Sequence, residues 1–122
     1  MQTAKSRSRS YQDLEVWKLA INLVKEVYQI TTKFPSSENF GLTNQIRRAA
    51  VSIPSNIAEG QGRNSSKEFR QFLGIAMGSM AELETQLIIA TEIDYMTSFE
   101  LERFQSSIDT IRKMTKSLAK NL

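Results

Sequence analysis

The 122-residue chain contains neither cysteine nor histidine, and the two absences remove much of the chemistry by which small proteins hold metals or attack substrates. Without cysteine there is no disulfide framework, no thiolate metal site and no thiol nucleophile, and nothing speaks to the redox compartment. Without histidine, the commonest general base and the commonest zinc ligand are both missing. Glu59, Glu82 and Glu84 remain as a conceivable carboxylate site, but a ferritin-like dimetal centre needs two Glu-x-x-His pairs. The serines lack a histidine base, and no Walker or dinucleotide fingerprint occurs. Gly60 and Gly62 are a lone glycine pair in a helix-terminal turn. The sequence therefore predicts no enzyme, no cofactor and no metal.

Long apolar runs are missing too. The longest uncharged run, residues 71–81, falls far short of the ~20 residues of a membrane span. Residues 1–10 lack the apolar segment of a secretory signal. The expectation is a cytoplasmic protein with no membrane partner. A composition of 40% hydrophobic and 24% charged residues is that of one ordinary domain able to bury a core.

The formal charge of +3 lies wholly in the first ten residues, where Lys5, Arg7 and Arg9 supply it and leave 13 basic against 13 acidic side chains in the remainder. TAKSRSRS is too polar to pack. The organisation thus reads as a disordered basic tail over 1–10 followed by a helical domain over 11–122. Such a tail is either a solvated terminus or an arm for nucleic acid or an anionic surface.

What the chain does have is helical periodicity. In the stretch LTNQIRRAAVSIPSNIAEGQGR, residues 42–63, the apolar positions Leu42, Ile46, Ala49, Ala50, Ile53 and Ile57 recur every three or four residues. At ~100° per residue they share one side of a helix. Arg48, Ser52, Ser55 and Glu59 follow the same spacing on another side, and Asn56 falls at the border. Arg48, Asn56, Glu59 and Glu82 read as a structural polar network that fixes this helix and the subunit register. Pro54 predicts a kink or short break, and Gly60 and Gly62 the helix end.

The first helix is predicted over residues 11 to about 32, with Ser10 and Asp13 in capping-box spacing. It carries two apolar stripes about 120° apart. Leu14, Trp17, Ile21, Val24 and Tyr28 form one; Val16, Ala20, Leu23, Val27 and Ile30 form the other. Together they span roughly 200°, wider than the face a monomeric bundle helix buries. Either the helix is tucked between its bundle neighbours or a second partner covers part of it, and the second is the expectation. Phe34 and Pro35 end this helix, residues 36–41 connect, and Thr43 or Asn44 is the expected next cap.

The third helix is predicted from about Ser66, with Ser65 and Glu68 as a capping box. Phe69, Leu73, Ala76, Met80, Leu83, Leu87 and Ala90 then step by four and three, the strongest periodic signal in the chain. Gly74, Gly78, Ala81 and Thr85 form a small-residue strip beside Met77 and Ile88. Glycine inside a helix costs about 1 kcal/mol relative to alanine, so close approach by another helix is expected there. The predicted oligomer interface is accordingly Val16, Ala20, Leu23 and Val27 of the first helix against Gly74, Met77, Gly78 and Ala81 of the third. The fourth helix runs from about Ser98, capped by Thr97 and Glu100, with Leu101, Phe104, Ile108, Ile111 and Leu118 as its core stripe and Thr115 interrupting. Four helices with short connections predict an all-α, up-down-up-down four-helix bundle with a Pro-kinked second helix.

The run QIRRAAVSIPSNIAEGQGR over residues 45–63, with Phe34 and Pro35 upstream and GSMAELE over 78–84, closely resembles the bacterial 23S rRNA intervening-sequence proteins. The resemblance covers nearly everything after Tyr11. It implies a small four-helix bundle that assembles into a ring, usually a pentamer. Similar proteins include the accessory subunit of diversity-generating retroelements, which engages nucleic acid and a reverse transcriptase. One departure is Asp94, which stands where a glycine would be expected to close the third helix.

The up-down order sorts the charges by end. One end should carry Lys5, Arg7, Arg9, Arg63, Lys67, Arg70, Lys116 and Lys120, with Arg112 and Lys113 close by. The other should carry Glu38, Glu92, Asp94, Glu100 and Glu102. In a cyclic ring all protomers point one way, so the basic ends add into one face. With few aromatics to stack on, that face predicts backbone binding of RNA or single-stranded DNA. The expected function is a non-enzymatic, nucleic-acid-associated accessory ring. The alternative is a scaffold that binds a protein partner and no nucleic acid.

Overall fold

Four amphipathic segments separated by short connectors leave few ways to hide their apolar stripes. In the computed structural model, which describes residues 11–122, they become α1 (Glu15–Thr31), α2 (Leu42–Gln61), α3 (Ser66–Glu92) and α4 (Ser98–Lys120), with 3₁₀ turns at Tyr11–Asp13 and Ser36–Glu38. The basic tail lies outside the described residues. α1 packs on α2, α2 on α3, α3 on α4 and α4 back on α1. Consecutive helices on short connections run antiparallel, which gives the up-down-up-down order.

The stripe of α3 is buried as its period requires: Leu73, Ala76, Met80, Leu83, Leu87 and Ala90 are fully inaccessible and Phe69 nearly so. Phe104, Ile108 and Ile111 of α4 meet it, and Thr115 joins them by turning its hydroxyl back to the Ile111 carbonyl at 2.7 Å. The α1 stripes are resolved against expectation. Val16, Ala20, Leu23 and Val27 are 4%, 0%, 1% and 0% exposed, so they are core of the single chain and cannot meet another subunit. Closing the four-helix square turns this stripe inward. Trp17, Ile21 and Val24 are left half-buried and Tyr28 exposed on the side toward α2.

Helix ends follow local chemistry. Ser65 accepts from the Glu68 amide at 3.1 Å, and Thr97 and Glu100 form a reciprocal capping box. The Ser10–Asp13 box includes a residue outside the described range; α1 itself starts later, after the first 3₁₀ turn, with no side-chain cap at Leu14. Neither Thr43 nor Asn44 caps α2. Gly41 is the N-cap residue, and Glu38 reaches forward from the 3₁₀ turn to accept from the Leu42 amide at 3.0 Å. α2 runs unbroken through Pro54, which is buried.

Two glycine expectations are also revised. Gly62 is the C-cap residue of α2 as expected, whereas Gly60 lies one residue inside its end. A Cβ built there would stand 2.8 Å from Phe72 Cβ and 2.9 Å from Phe69 Cδ1, so glycine is what lets α2 and α3 touch. At the end of α3, Asp94 takes the left-handed conformation with φ 69°. The Tyr95 amide bonds to the Ala90 carbonyl at 2.8 Å and the Asp94 amide to Thr91 at 3.0 Å, which is the Schellman arrangement completed without glycine.

Two substitutions should therefore move stability in opposite directions. Gly60→Ala forces a methyl against the rooted end of Phe72 and should cost about 1–3 kcal/mol. Asp94→Gly relieves a left-handed β-carbon and should add about 0.5–1 kcal/mol. Urea unfolding followed by circular dichroism measures both; equal midpoints for the two variants would contradict this packing.

Candidate functional site

The basic end is built by three helix termini. Arg63, just past α2, donates to Glu59 at 2.7 Å and lies over the Phe72 ring at 4.8 Å. Arg70, in the second turn of α3, donates to the Leu122 carbonyl at 3.2 Å. That bond ties the start of α3, which carries Lys67, to the end of α4, which carries Lys116 and Lys120. The structure thus gathers Arg63, Lys67, Arg70, Lys116 and Lys120 at one end, while Lys5, Arg7 and Arg9 lie outside the described residues. Arg112, further along α4, is engaged by Glu84 and Asp109.

These cations are not equally available. Arg63 and Arg70 are held by protein oxygens, whereas Lys67, Lys116 and Lys120 are exposed and have no hydrogen-bond or ion-pair partner among the described residues. Lys120 at the end of α4 suits the helix dipole, but Lys67 in the first turn of α3 opposes it. Helix stability accounts for the first lysine and not for the second.

The opposite end is acidic but partly neutralised. Lys33 pairs with Glu100 at 2.6 Å, and that ammonium, with the Thr97 amide second, lowers the Glu100 pKa. Glu38 is lowered first by the Leu42 amide and then by the Tyr95 hydroxyl, which donates to it at 2.9 Å; the same bond raises Tyr95. Glu92, Asp94 and Glu102 are exposed around these pairs. Among them stand two bare aromatics, Phe40 at 98% and Phe99 at 69% exposure.

The predicted polar network assembles around different partners. Asn56 donates to the Ser52 carbonyl at 2.8 Å and to Ser52 Oγ at 2.9 Å, and Ser52 Oγ is 2.7 Å from Ser79 Oγ across the α2–α3 seam. Glu59 turns to Arg63, and Glu82 accepts from Gln86 at 3.5 Å. Arg48 has no partner among the described residues, although it lines a depression between α2 and α3 with Gln45, Ser52 and Glu82. Ser79 escapes sequence reasoning because its partner is 27 residues away. On the outer side of α3, Gly74, Gly78 and Ala81 are exposed and Met77 is half-buried. A Cβ at Gly74 or Gly78 would meet nothing within 4 Å, so the protomer itself has no use for those glycines.

α3 is the one described helix with the length and hydropathy of a membrane span, but 39% of that stretch is buried inside the bundle. Its inner stripe is committed to the bundle core. Among the described residues no group of three or more metal-ligating side chains occurs.

Comparison with known proteins bears on this geometry. The family model described as 23S rRNA-intervening sequence protein matches residues 12–117. A crystal structure of a protein of unknown function from the S23 ribosomal protein family of Bacteroides thetaiotaomicron shares the fold. It has a TM-score of 0.79 at 24% identity, covering 86% of this chain and 95% of that one. No curated protein matches the chain.

The acidic end carries a pH signature. Glu38 and Glu100 titrate lower in the folded chain than in the unfolded one, so each contributes stability that is fully present above the ordinary glutamate pKa. That contribution is lost as pH falls through their lowered folded values. Acid titration of the thermal midpoint should therefore be shallower for Glu38→Gln than for the parent chain. Parallel titration curves would mean that Glu38 is not the clamp described.

Proposed function

This chain belongs to the 23S rRNA-intervening sequence protein family, and we propose that it acts without enzymatic chemistry, as a ring-forming accessory factor that holds RNA or single-stranded DNA by its phosphates. The observation that carries this reading is the set of three lysines, Lys67, Lys116 and Lys120, which have no partner among the described residues and stand at the same end as Arg63 and Arg70. Phosphate oxygens are the ligand such a surface suits, since each contact releases condensed counterions. Phe72 offers no free platform on its guanidinium side, because Arg63 lies over it. The binding is thus to backbone and tolerant of sequence. Copies in a ring present the same end together, so contacts too weak singly add along one strand. Lys5, Arg7 and Arg9, outside the described residues, add three positive charges to the chain.

A second reading is supported by Phe40 and Phe99, whose exposure amid Glu92, Asp94 and Glu102 suits a protein partner with basic and apolar side chains. It predicts a scaffold that ignores nucleic acid.

Fluorescence anisotropy of a labelled single-stranded RNA, measured between about 50 and about 200 mM salt, separates the two. The nucleic-acid reading expects affinity to fall with salt and the log-log slope to flatten by about 0.7 for each contact removed in Lys67→Gln, Lys116→Gln and Lys120→Gln. Glu102→Gln, at the far end, should change nothing, and deleting residues 1–9 should flatten the slope without altering stability. Absence of binding at the lower salt, or binding that ignores salt, leaves the scaffold.

A further inference from the structure

The α1 stripe expected to face a neighbour is core, yet the protomer still exposes two apolar surfaces of different shape. One is a groove between α1 and α2, where Trp17, Ile21, Val24, Val51, Pro54 and Ala58 line a depression. Through Val51 it continues into a second depression bordered by Tyr28, Arg47 and Arg48. The other is the outward side of α3, where Ile75, Ile88 and Ile89 are 51%, 39% and 45% exposed around the bare backbone of Gly74 and Gly78. Between Arg70 and Glu92 the only charged residues of α3 are Glu82 and Glu84, and Glu84 is drawn onto α4 by Arg112 at 2.9 Å.

We propose that these two surfaces are the two halves of one contact: the outward side of α3 in one copy seats in the α1–α2 groove of the next, with Glu82 paired to the neighbour's Arg48. This rests on the ring reading above and specifies which surfaces close the ring.

Three observations carry it. The surfaces differ, as a head-to-tail contact requires; a two-fold dimer would bring one patch against itself. The charges also match in height. Arg48 and Glu82 line the same depression on one protomer, which places them at one level along the bundle. Copies arranged round an axis parallel to the helices meet neighbours at their own level. Arg48 is the cation available for this, because Arg47 is already held by Thr31 Oγ1 at 2.9 Å and stacked on Tyr28 at 4.5 Å. The glycines also acquire a use: without side chains at Gly74 and Gly78, α3 can lie deep in the groove.

Light scattering across a dilution series reads the assembly, and circular dichroism reports whether each variant folds. Arg48→Glu and Glu82→Arg should each raise the concentration needed for assembly by about tenfold or more, since each sets like charges face to face across the contact. Mixing the two variants should lower that concentration again, because every mixed contact joins opposite charges and a five-membered ring need keep only one like-charged contact. Gly78→Leu should fold as the parent does, having open space at its Cβ, and should fail to assemble. A parent chain that scatters as a 13.9 kDa particle overturns both this contact and the ring. A parent that assembles while the variants assemble equally well overturns the contact alone, and the ring then closes by other surfaces. Single variants that are impaired but not rescued by mixing place the pair within one chain, which also overturns the contact.

Discussion

The close approach of α2 to α3 at Gly60 is the constraint on which the rest of the bundle depends. With no Cβ at Gly60, the α2 backbone comes down onto Phe69 and Phe72. Ala49, Ala50 and Ala76 keep the seam narrow further along, all at 4% exposure or less. A seam this tight cannot slide without steric clash, because packed interiors do not deform continuously. Ser52 and Ser79 add a directional lock, since their 2.7 Å hydroxyl contact exists in one register only. α1 and α4 then dock on a pair already fixed in register. Where those two outer helices meet, an opening lined by Glu26, Gln29, Arg103 and Ser107 remains, so the bundle is tightest at one seam and loosest at the opposite one.

From that register the distribution of charge follows. An antiparallel pair fixed at Gly60 sets Arg63, Lys67 and Arg70 around a single turn, and the Arg70 bond to Leu122 brings the end of α4 beside them. Glu38, Tyr95, Lys33 and Glu100 are cross-linked at the far end by hydrogen bonds and an ion pair. Neither end is a site because of one residue. The basic end is a consequence of topology acting on a chain whose cations are otherwise balanced, and it leaves lysines without partners among the described residues where three helix termini converge. In the proposed function this surface meets a polyanion, whose repeated charges match several lysines at once.

How much of this was legible in the sequence depends on whether the deciding partner is local. The core of α3 was, because its stripe repeats by four and three without interruption, and the Ser65 and Thr97 caps were, because each bonds three residues ahead. The basic end followed once the helices were counted. α1 was not legible, since two stripes of similar hydrophobicity lie on one helix and periodicity cannot say which faces inward. Gly60 looks like a terminator until Phe72, twelve positions on, is seen to need its space. The cap of α2 was missed because Glu38 acts from a preceding turn, four residues before the amide it satisfies. The spacing places Ser52 on a side other than the core stripe, and it meets a partner on another helix. Contacts set by tertiary register leave no spacing in the sequence to find.

The central claim is that assembly, and not the single chain, is what engages nucleic acid. Native mass spectrometry of the protein mixed with a short single-stranded RNA at low salt tests it most directly, because it resolves which particle carries the RNA. The account predicts RNA on the assembled particle, with fewer RNA molecules than protein chains, and bare protein at 13.9 kDa. RNA bound mainly to the 13.9 kDa chain, or an assembled particle that never carries RNA, would contradict it.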